Sequence, residues 1–419
     1  MKAWPNLFRL LAAASAVAVL GSCTEKLDSS GVCAVLCPPL GGTVQNITID
    51  AVALDTSVQA LSGLGAETRL LLATRGDTLD ARIILRFDTL PSTYREGTDT
   101  AKIITLVDSA ILRLRLDTLS IKGGDPVTIE AYDVDTTAND TSTAAVLALF
   151  RPDRLIASLS YARSALTDTI DYPLPNAHVL AKAQTGQRLR IGLRAVSIGS
   201  SQISFFSEES GLPTRLRFRV SADTVIPPYT LTPFSKTPVD DAIVRNNLDD
   251  YTVFARRPPE GSPIDLEVGG IPPRRAVFGF DIPSSIIDSS TIIRATLLLN
   301  QIPYPLLDPT DTVFVLPQLS LAGAAVTDPV KVAQITTGLG IDTVKVRPGD
   351  AGVVLIELAN AFPVWKQLKL ADTPRFIVLR SRDEGISPLQ VRFHSLEAAP
   401  ALRPRLRISF TNDVPLGLP

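Results

Sequence analysis

Apolar and polar residues alternate one by one along several short stretches of the chain. In RIILRFD, Ile83, Leu85 and Phe87 fall on one face, opposite Arg82 and Arg86. The same period recurs in AILRLRLD, RLRIGLR and RLRFRV. Alternation with a period of two is typical of half-buried β strands. Many such strands, separated by Gly, Pro, Asp and Thr, predict an all-β chain of antiparallel sandwiches.

Helical patterns are short and few. The segment Thr143 to Phe150 is predicted to form two turns, and Asn176 to Gln184 to form a short helix after Pro175. Neither segment is long enough to organise a domain.

The second half of the chain repeats the first. The segment ISFFSEESGLPTRLRFRV (203–220) is answered by VRFHSLEAAPALRPRLRISF (391–410), and Phe87-Asp88 is answered by Phe280-Asp281 after 193 residues. Offsets that drift by a few residues are typical of a duplicated domain with loop insertions. The pattern predicts two tandem domains, 47–220 and 239–410, joined by a Pro-rich linker at 221–238 and followed by a C-terminal tail at 411–419.

The first residues have the pattern of a bacterial lipoprotein signal. Lys2 and Arg9 precede the apolar run Leu10 to Leu20, and Gly21-Ser22 precede Cys23. Residues 1–22 are therefore predicted to be removed, with Cys23 lipidated and 23–46 acting as a flexible tether. An ordinary secretory signal that ends at Cys is the alternative. The expected location is the bacterial cell envelope, anchored by lipid in the outer membrane and facing the periplasm or the surface.

Charge and cysteine content narrow the choice of partners. Removal of Lys2 and Arg9 leaves 41 − 2 = 39 basic and 43 acidic residues, a net charge of −4, which argues against binding of nucleic acid through bulk charge. Cys33 and Cys37 lie in the tether, where a local disulfide or two idle thiols is favoured over a zinc or redox site.

Ordered motifs of the second half resemble the DNRLRE domain family, also classed as family 96 of carbohydrate-binding modules. The matching segments are the strand Arg275 to Asp281, the strand Ala295 to Leu299, the Trp-containing segment Leu355 to Leu368, the Phe393 to Glu397 strand, and Arg403-Pro404-Arg405-Leu406. The first half has no corresponding Trp, and the literal string DNRLRE is absent. The resemblance implies jelly-roll-like β-sandwiches in a surface-attached protein and carbohydrate as the ligand class.

Arginine-rich strand faces are the main candidate for binding. Alternation places Arg215, Arg217 and Arg219 on one outward face, and Arg405 and Arg407 on its counterpart. Such rows could bind anionic polysaccharide or phosphate-bearing lipid. The alternative is cross-strand pairing with Asp and Glu on a solvated face, which the negative net charge favours.

Aromatic contacts come second. Tyr251 sits in a polar segment and is a candidate exposed contact. Trp365, in contrast, is expected in the core.

Catalytic and metal sites receive little support. His178 and His394 are the two histidines, and His394 is expected on a strand face. Glu209 and Glu397 recur at matched positions and are expected to pair with Arg82 and Arg275.

Acidic turns supply the one candidate for a metal ion. Asp133, Asp135 and Asp140 could hold a structural calcium ion, although turn chemistry is the preferred explanation. No other cofactor is expected.

The leading hypothesis is a non-catalytic, lipid-anchored binding module, with polysaccharide implied as ligand by the resemblance. A structural or adhesin-like scaffold that binds envelope proteins is the second hypothesis. A polysaccharide-degrading enzyme with an unrecognised site is the third.

Overall fold

A computed structural model of the protein describes residues 43–60, 65–123, 126–136, 143–223, 225–236, 249–258, 262, 264–304, 308, 310–321, 323–328, 336–337, 342–367 and 375–413. Strands account for 52% of the structure and helices for 12%, which confirms the all-β prediction. Cys23, Cys33, Cys37 and Asp140 lie outside the described residues. No helix in the described ranges is long and apolar enough to cross a membrane.

The strands are numbered in chain order. Their bounds are β1 (Gln45–Ile49), β2 (Val52–Gln59), β3 (Arg69–Arg75), β4 (Leu79–Phe87), β5 (Thr93–Glu96), β6 (Asp99–Ile103), β7 (Ser109–Gly123), β8 (Val127–Asp133), β9 (Leu155–Tyr161), β10 (Thr169–Pro173), β11 (Leu189–Val196), β12 (Ser201–Phe206), β13 (Arg215–Arg219), β14 (Tyr229–Leu231), β15 (Asp250–Arg256), β16 (Asp265–Gly269), β17 (Arg274–Phe280), β18 (Ser290–Ile302), β19 (Val313–Ser320), β20 (Thr336–Thr337), β21 (Val344–Val346), β22 (Gly352–Glu357), β23 (Arg375–Ser381), β24 (Gln390–His394) and β25 (Arg405–Asn412).

Four helices accompany the strands in the described ranges: α1 (Thr143–Leu147), α2 (Asn176–Gln184), α3 (Ser284–Ile287) and α4 (Ala361–Gln367). The first two confirm the predicted short helices. Each helix is too short to form a layer of its own, so the strands determine the architecture.

Two large antiparallel sheets share one strand order. The first sheet runs β14-β13-β7-β12-β3-β4-β11-β8-β9, with β10 on β7 and β15 on β4. The second runs β1-β25-β18-β24-β16-β17-β23-β19-β20, with β22 on β18, β2 on β17 and β21 on β19. Position by position, β1 corresponds to β14 and β2 to β15. The predicted duplication is therefore present in the strand pairing, and β5 and β6 form a separate small hairpin.

The two repeats exchange their first two strands. We define the first repeat as β1 to β13 and the second as β14 to β25. β1 pairs with β25 and β2 with β17, both in the second repeat. Reciprocally, β14 pairs with β13 and β15 with β4, both in the first.

The predicted boundaries consequently do not follow the strand pairing. β2 lies within the predicted first domain but belongs to the second sheet, and β15 lies within the predicted second domain but belongs to the first. The predicted linker at 221–238 contains β14, which is an edge strand of the first sheet. The sequence placed each boundary by position along the chain, whereas the exchanged strands pair with distant partners.

Each sheet encloses an apolar core because its alternating strands direct one face inward. The first core contains Leu112, Leu114 and Phe218, and the second contains Leu297, Phe393 and Ile408. A further cluster packs Tyr251 and Val253 of β15 against Ile84 of β4 and Tyr132 of β8. The exchanged strands therefore bury apolar side chains as well as complete the hydrogen-bonded sheets.

Trp365 is a core residue, as predicted. It lies on α4, is 6% exposed, and its ring centre is 5.7 Å from that of Phe280 and 5.2 Å from that of Phe362. Contacts of this kind are typical of packed aromatic clusters. Trp365 is therefore not available as a stacking platform for a ligand.

Candidate binding surface

Five arginines lie on one outward face of the first sheet, which we call the arginine face: Arg113 and Arg115 on β7, and Arg215, Arg217 and Arg219 on β13. In the register, Arg215 is opposite Arg113, and Arg217 is opposite Ile111 and Thr230. The face forms because Leu216 and Phe218 alternate with these arginines and are fully buried in the core. Burial of the apolar set thus directs the charged set outward.

Charge on the arginine face is only partly compensated. Arg113 makes two hydrogen bonds of 2.7 Å to the carboxylate of Asp171 on β10, and this contact lowers the pKa of Asp171 and raises that of Arg113. Arg115 donates to the hydroxyl of Thr169 at 3.2 Å. Arg215, Arg217 and Arg219 make no ion pair within 4.0 Å to a carboxylate of the described ranges. Of the five arginines, Arg113 alone therefore forms an ion pair with a carboxylate of the described ranges, and Asp117, the next outward position of β7, is bound to Arg69.

The equivalent face of the second sheet is less charged. Arg405 and Arg407 occupy β25, and Arg294 pairs with Glu357 at 2.8 Å. Beside them, Val353 and Leu355 on β22 are 55% and 44% exposed. The repeat therefore preserves the strand geometry, but β22 carries exposed apolar residues where β10 carries Thr169 and Asp171.

Tyr251 is not an exposed contact. It is 3% exposed and packs with Ile84, Tyr132 and Val253. The residue lies on β15, which pairs with β4. A segment that the sequence analysis interpreted as a polar loop is therefore a strand with buried side chains. The prediction that Tyr251 contacts a ligand is wrong for this reason.

Asp133 and Asp135 lie among cations. Asp135 accepts hydrogen bonds from Lys182 at 2.9 Å and from Arg188 at 2.7 Å, and Asp133 is 3.7 Å from both Lys182 and His178. These ion pairs lower the pKa of Asp135 against the opposing effect of burial. No group of three or more His, Cys, Asp or Glu side chains within the described ranges could hold a metal ion. Calcium binding has no support from these two residues.

His394 and the recurrent Glu397 lie next to strand and turn residues of their own repeat. His394 lies at the end of β24, opposite Asp265. Glu397 accepts a hydrogen bond from the hydroxyl of Ser395.

The two arginines that were predicted to pair with Glu209 and Glu397 bind other carboxylates. Arg275 binds Glu384 at 2.8 Å, and Arg82 binds Asp80 at 2.7 Å. The predicted pairing of Glu209 and Glu397 with these two arginines is therefore wrong, since nearer carboxylates occupy both.

Two repeated contacts that the sequence analysis missed hold the exchanged strands. Asp55 on β2 accepts a hydrogen bond of 2.8 Å from the backbone N–H of Leu396, and Asp250 on β15 accepts one of 3.0 Å from that of Glu208. Burial raises the pKa of Asp55 to about 6 and that of Asp250 to about 8. Each aspartate thus docks onto the Ser-x-Glu segment of the other repeat.

A second pair of contacts follows two residues later. The hydroxyl of Ser57 accepts from the backbone N–H of Glu267 at 2.6 Å, and that of Thr252 accepts from Leu71 at 2.9 Å. The signal was present as a repeated D-x-S/T-V-x-A, at residues 55–60 and 250–255.

Comparisons with known proteins do not assign a family. No family model matches the chain, and no curated protein matches it. Among solved structures, one of infectious bursal disease virus Gt strain is similar at 11% identity, covering 89% of this chain and 77% of that one, with a TM-score of 0.14. The N-terminal CBM22-1-CBM22-2 tandem domain from Paenibacillus barcinonensis Xyn10C is similar at 8% identity, covering 87% and 100%, with a TM-score of 0.13. Values this low do not inform fold or function.

Proposed function

We propose that the protein is a lipid-anchored component of the bacterial envelope that binds an acidic polysaccharide without cleaving it. The observation that carries the proposal is the arginine face, where five guanidinium groups lie on the paired strands β7 and β13 and Arg113 alone forms an ion pair with a carboxylate of the described residues. The Cys23 motif supports a location at a membrane, and the resemblance to carbohydrate-binding domains supports carbohydrate as the ligand class.

Guanidinium groups suit this ligand chemically. An arginine presents a planar fork of donors that can bind a carboxylate or sulfate with two hydrogen bonds. Alternate residues of a strand are about 6.6 Å apart and neighbouring strands about 4.8 Å apart. Arg215, Arg217 and Arg219 therefore form a regular row, and Arg113 and Arg115 a second row beside it. Such an array fits an extended polymer with an anionic group on each unit.

A flat strand face also favours binding over turnover. Glycoside hydrolysis requires two carboxylates that flank the scissile bond. The described strands of this face carry Asp171 and Asp117, and both carboxylates are already bound to arginines, Asp171 to Arg113 and Asp117 to Arg69. A polymer that lies across this face would therefore be held by charge without meeting a catalytic pair.

The test is binding of the full-length protein to polygalacturonate and to neutral dextran, measured by affinity electrophoresis at low and high salt. Retardation by the acidic polymer alone, weakened by salt, is expected. Arg217→Glu should weaken binding by about tenfold or more, because it both removes a cation and introduces repulsion.

Arg407→Glu provides the matched control. Arg407 holds the same position on β25 as Arg217 does on β13, but it lies opposite Thr296, whose other neighbour is the carboxylate-bearing Glu357 of β22. A small effect is expected there. Equal affinity of the wild type and Arg217→Glu for polygalacturonate would refute the proposal.

A protein-binding scaffold is the second candidate, favoured by the exposed Val353 and Leu355. These side chains lie on β22 of the second sheet, where the first sheet has Asp171 and Thr169 on β10. Apolar residues grouped on an outward strand are a feature of protein contact surfaces. Double substitution to Ser should then reduce recovery of envelope proteins cross-linked to the wild type in intact cells, while leaving polysaccharide binding unchanged.

A further inference from the structure

A cleft of about 380 Å³ lies between the two sheets. Lys122 at the end of β7 and Gln202 on β12 line it from the first sheet. Asp311 before β19, Phe314 on β19 and Arg382 after β23 line it from the second. The cleft thus requires both repeats, and its volume lies within the usual range for small-molecule sites.

Asp311 is a buried carboxylate with one unused oxygen. Its side chain is 4% exposed, and its Oδ1 pairs with the ammonium group of Lys122. Its Oδ2 is buried and accepts no hydrogen bond from the described residues. A buried acceptor left without a donor destabilises the folded protein. A ligand hydroxyl in the cleft would supply that donor.

Charges of both signs alternate around the cleft. Arg69 lies between Asp117, at 3.1 Å, and Asp383, at 3.9 Å. The charged residues of the lining are three cations and four carboxylates: Arg69, Lys122, Arg382, Asp117, Asp308, Asp311 and Asp383. A strongly charged ligand would meet repulsion from one set or the other. A hydroxyl group suits both, because it donates to a carboxylate while accepting from an N–H group.

One wall of the cleft is planar. The guanidinium group of Arg382 lies 3.8 Å from the ring centre of Phe314. Nε and Nη2 of Arg382 donate long hydrogen bonds of 3.5 and 3.4 Å to the carboxylate of Asp383, which leaves Nη1 as the donor without a partner among the described residues. The wall therefore combines an apolar surface with donors, as a ring that carries several hydroxyl groups requires.

We propose that the cleft binds a neutral, polyhydroxylated ligand of one or two sugar units, with Asp311 Oδ2 as the acceptor of a ligand hydroxyl. This site is separate from the arginine face and does not depend on the proposed binding of acidic polymer. It differs in ligand charge and in salt dependence, so the failure of either proposal can be recognised on its own.

The experiment is calorimetric titration of the full-length protein with cellobiose, maltose and chitobiose, at low and high salt. Binding of at least one disaccharide in the millimolar range, with the same affinity at both salt concentrations, is expected. Asp311→Asn should weaken it by about tenfold, because the amide retains the size of the side chain but not the carboxylate acceptor.

Arg382→Ala is a second variant that is not expected to disturb folding, since the Arg382 side chain is 51% exposed. It should weaken binding as well, whether or not Asp311→Asn folds. Arg256→Ala, a change at a half-exposed residue paired with Asp77, is the control that should bind like the wild type.

Three results would overturn the proposal. The first is no binding of any of the three disaccharides by the wild type, and the second is binding at low salt only. The third is full affinity of both Arg382→Ala and a folded Asp311→Asn.

Discussion

The carboxylate of Asp250 accepts a 3.0 Å hydrogen bond from the backbone N–H of Glu208, although 42 residues separate the two and they belong to different repeats. Asp55 and Leu396 form the equivalent contact at the other exchanged strand. Because each aspartate is held away from solvent, its ionisation opposes folding. The stability of the contacts that hold the exchanged strands therefore depends on pH.

The first prediction concerns the pH dependence of stability. Burial, with Glu209, Glu208 and Asp249 adding repulsion, raises the pKa of Asp250 to about 8. In the unfolded chain an Asp titrates near about 3.9. The folded state therefore holds this proton more tightly than the unfolded chain does. The protonated Asp250 carboxyl contributes fully to stability below about pH 4, and this contribution is lost as pH rises towards 8.

Asp250→Asn should consequently stabilise the protein much more at pH 8 than at pH 5. A gain of more than about 1 kcal/mol is expected at pH 8, since each pKa unit corresponds to about 1.4 kcal/mol. Urea unfolding at both pH values measures it. Asp50→Asn, at an exposed position between β1 and β2, is the control. If both variants show the wild-type difference between pH 5 and pH 8, the Asp250 carboxyl does not contribute in this way.

The second prediction concerns cleavage of the chain between β14 and β15. A protease site inserted within 237–248 would leave β1 to β14 in one fragment and β15 to β25 in the other. The two fragments should still elute together under native conditions, because β1, β2 and β15 each remain paired with strands of the other fragment. Denaturing electrophoresis should show two bands from that single peak. Separate native peaks would mean that the strands are not exchanged.

The third prediction concerns Tyr251. Tyr251→Ala should destabilise the protein by about 3 to 5 kcal/mol, the usual cost of removing a buried ring. Tyr251→Phe keeps the ring and should retain most of the stability. Thermal unfolding measures both, and polysaccharide binding by the folded Tyr251→Phe protein should equal that of the wild type. A specific loss of binding would restore Tyr251 as a ligand contact.

The fourth prediction concerns Trp365. Trp365→Ala should also cost about 3 to 5 kcal/mol, because the ring packs against Phe280 and Phe362. Trp365→Phe should cost less, since it leaves an aromatic ring in the cluster. Denaturant unfolding measures the difference. An alanine variant of unchanged stability that no longer binds polysaccharide would argue for a ligand contact instead.

Local patterns predicted the strands well because alternation reflects which face is buried. Ile83, Leu85 and Phe87 are buried as expected. The same reasoning placed Arg86 and Arg190 in solvent, yet they are 5% and 0% exposed. β15 and the cluster around Tyr251 cover that face of β4 and β11. The covering strand comes from the other repeat, so the sequence near Arg86 contains no sign of it.

The candidate sites also differ in how far local sequence could predict them. The arginine face could be predicted because Arg215, Arg217 and Arg219 alternate within one strand. The cleft could not, since Lys122 and Asp311 are 189 residues apart and meet only once both sheets have formed. The contacts of the exchanged strands were predictable in part. Their D-x-S/T-V-x-A motif repeats in the sequence, but spacing alone could not show that it binds the Ser-x-Glu segment of the other repeat.

The exchange also sets an order of events during synthesis. β1 and β2 are the first of the described strands to leave the ribosome, yet β2 must wait for β17 and β1 for β25. The first sheet likewise lacks an internal strand until residue 256 has been made. The first repeat can therefore not finish folding when its own residues are complete. The backbone groups of β2 stay unpaired until β17 has been made and those of β1 until β25 has been made, so a chaperone that shields extended segments would act longest on β1.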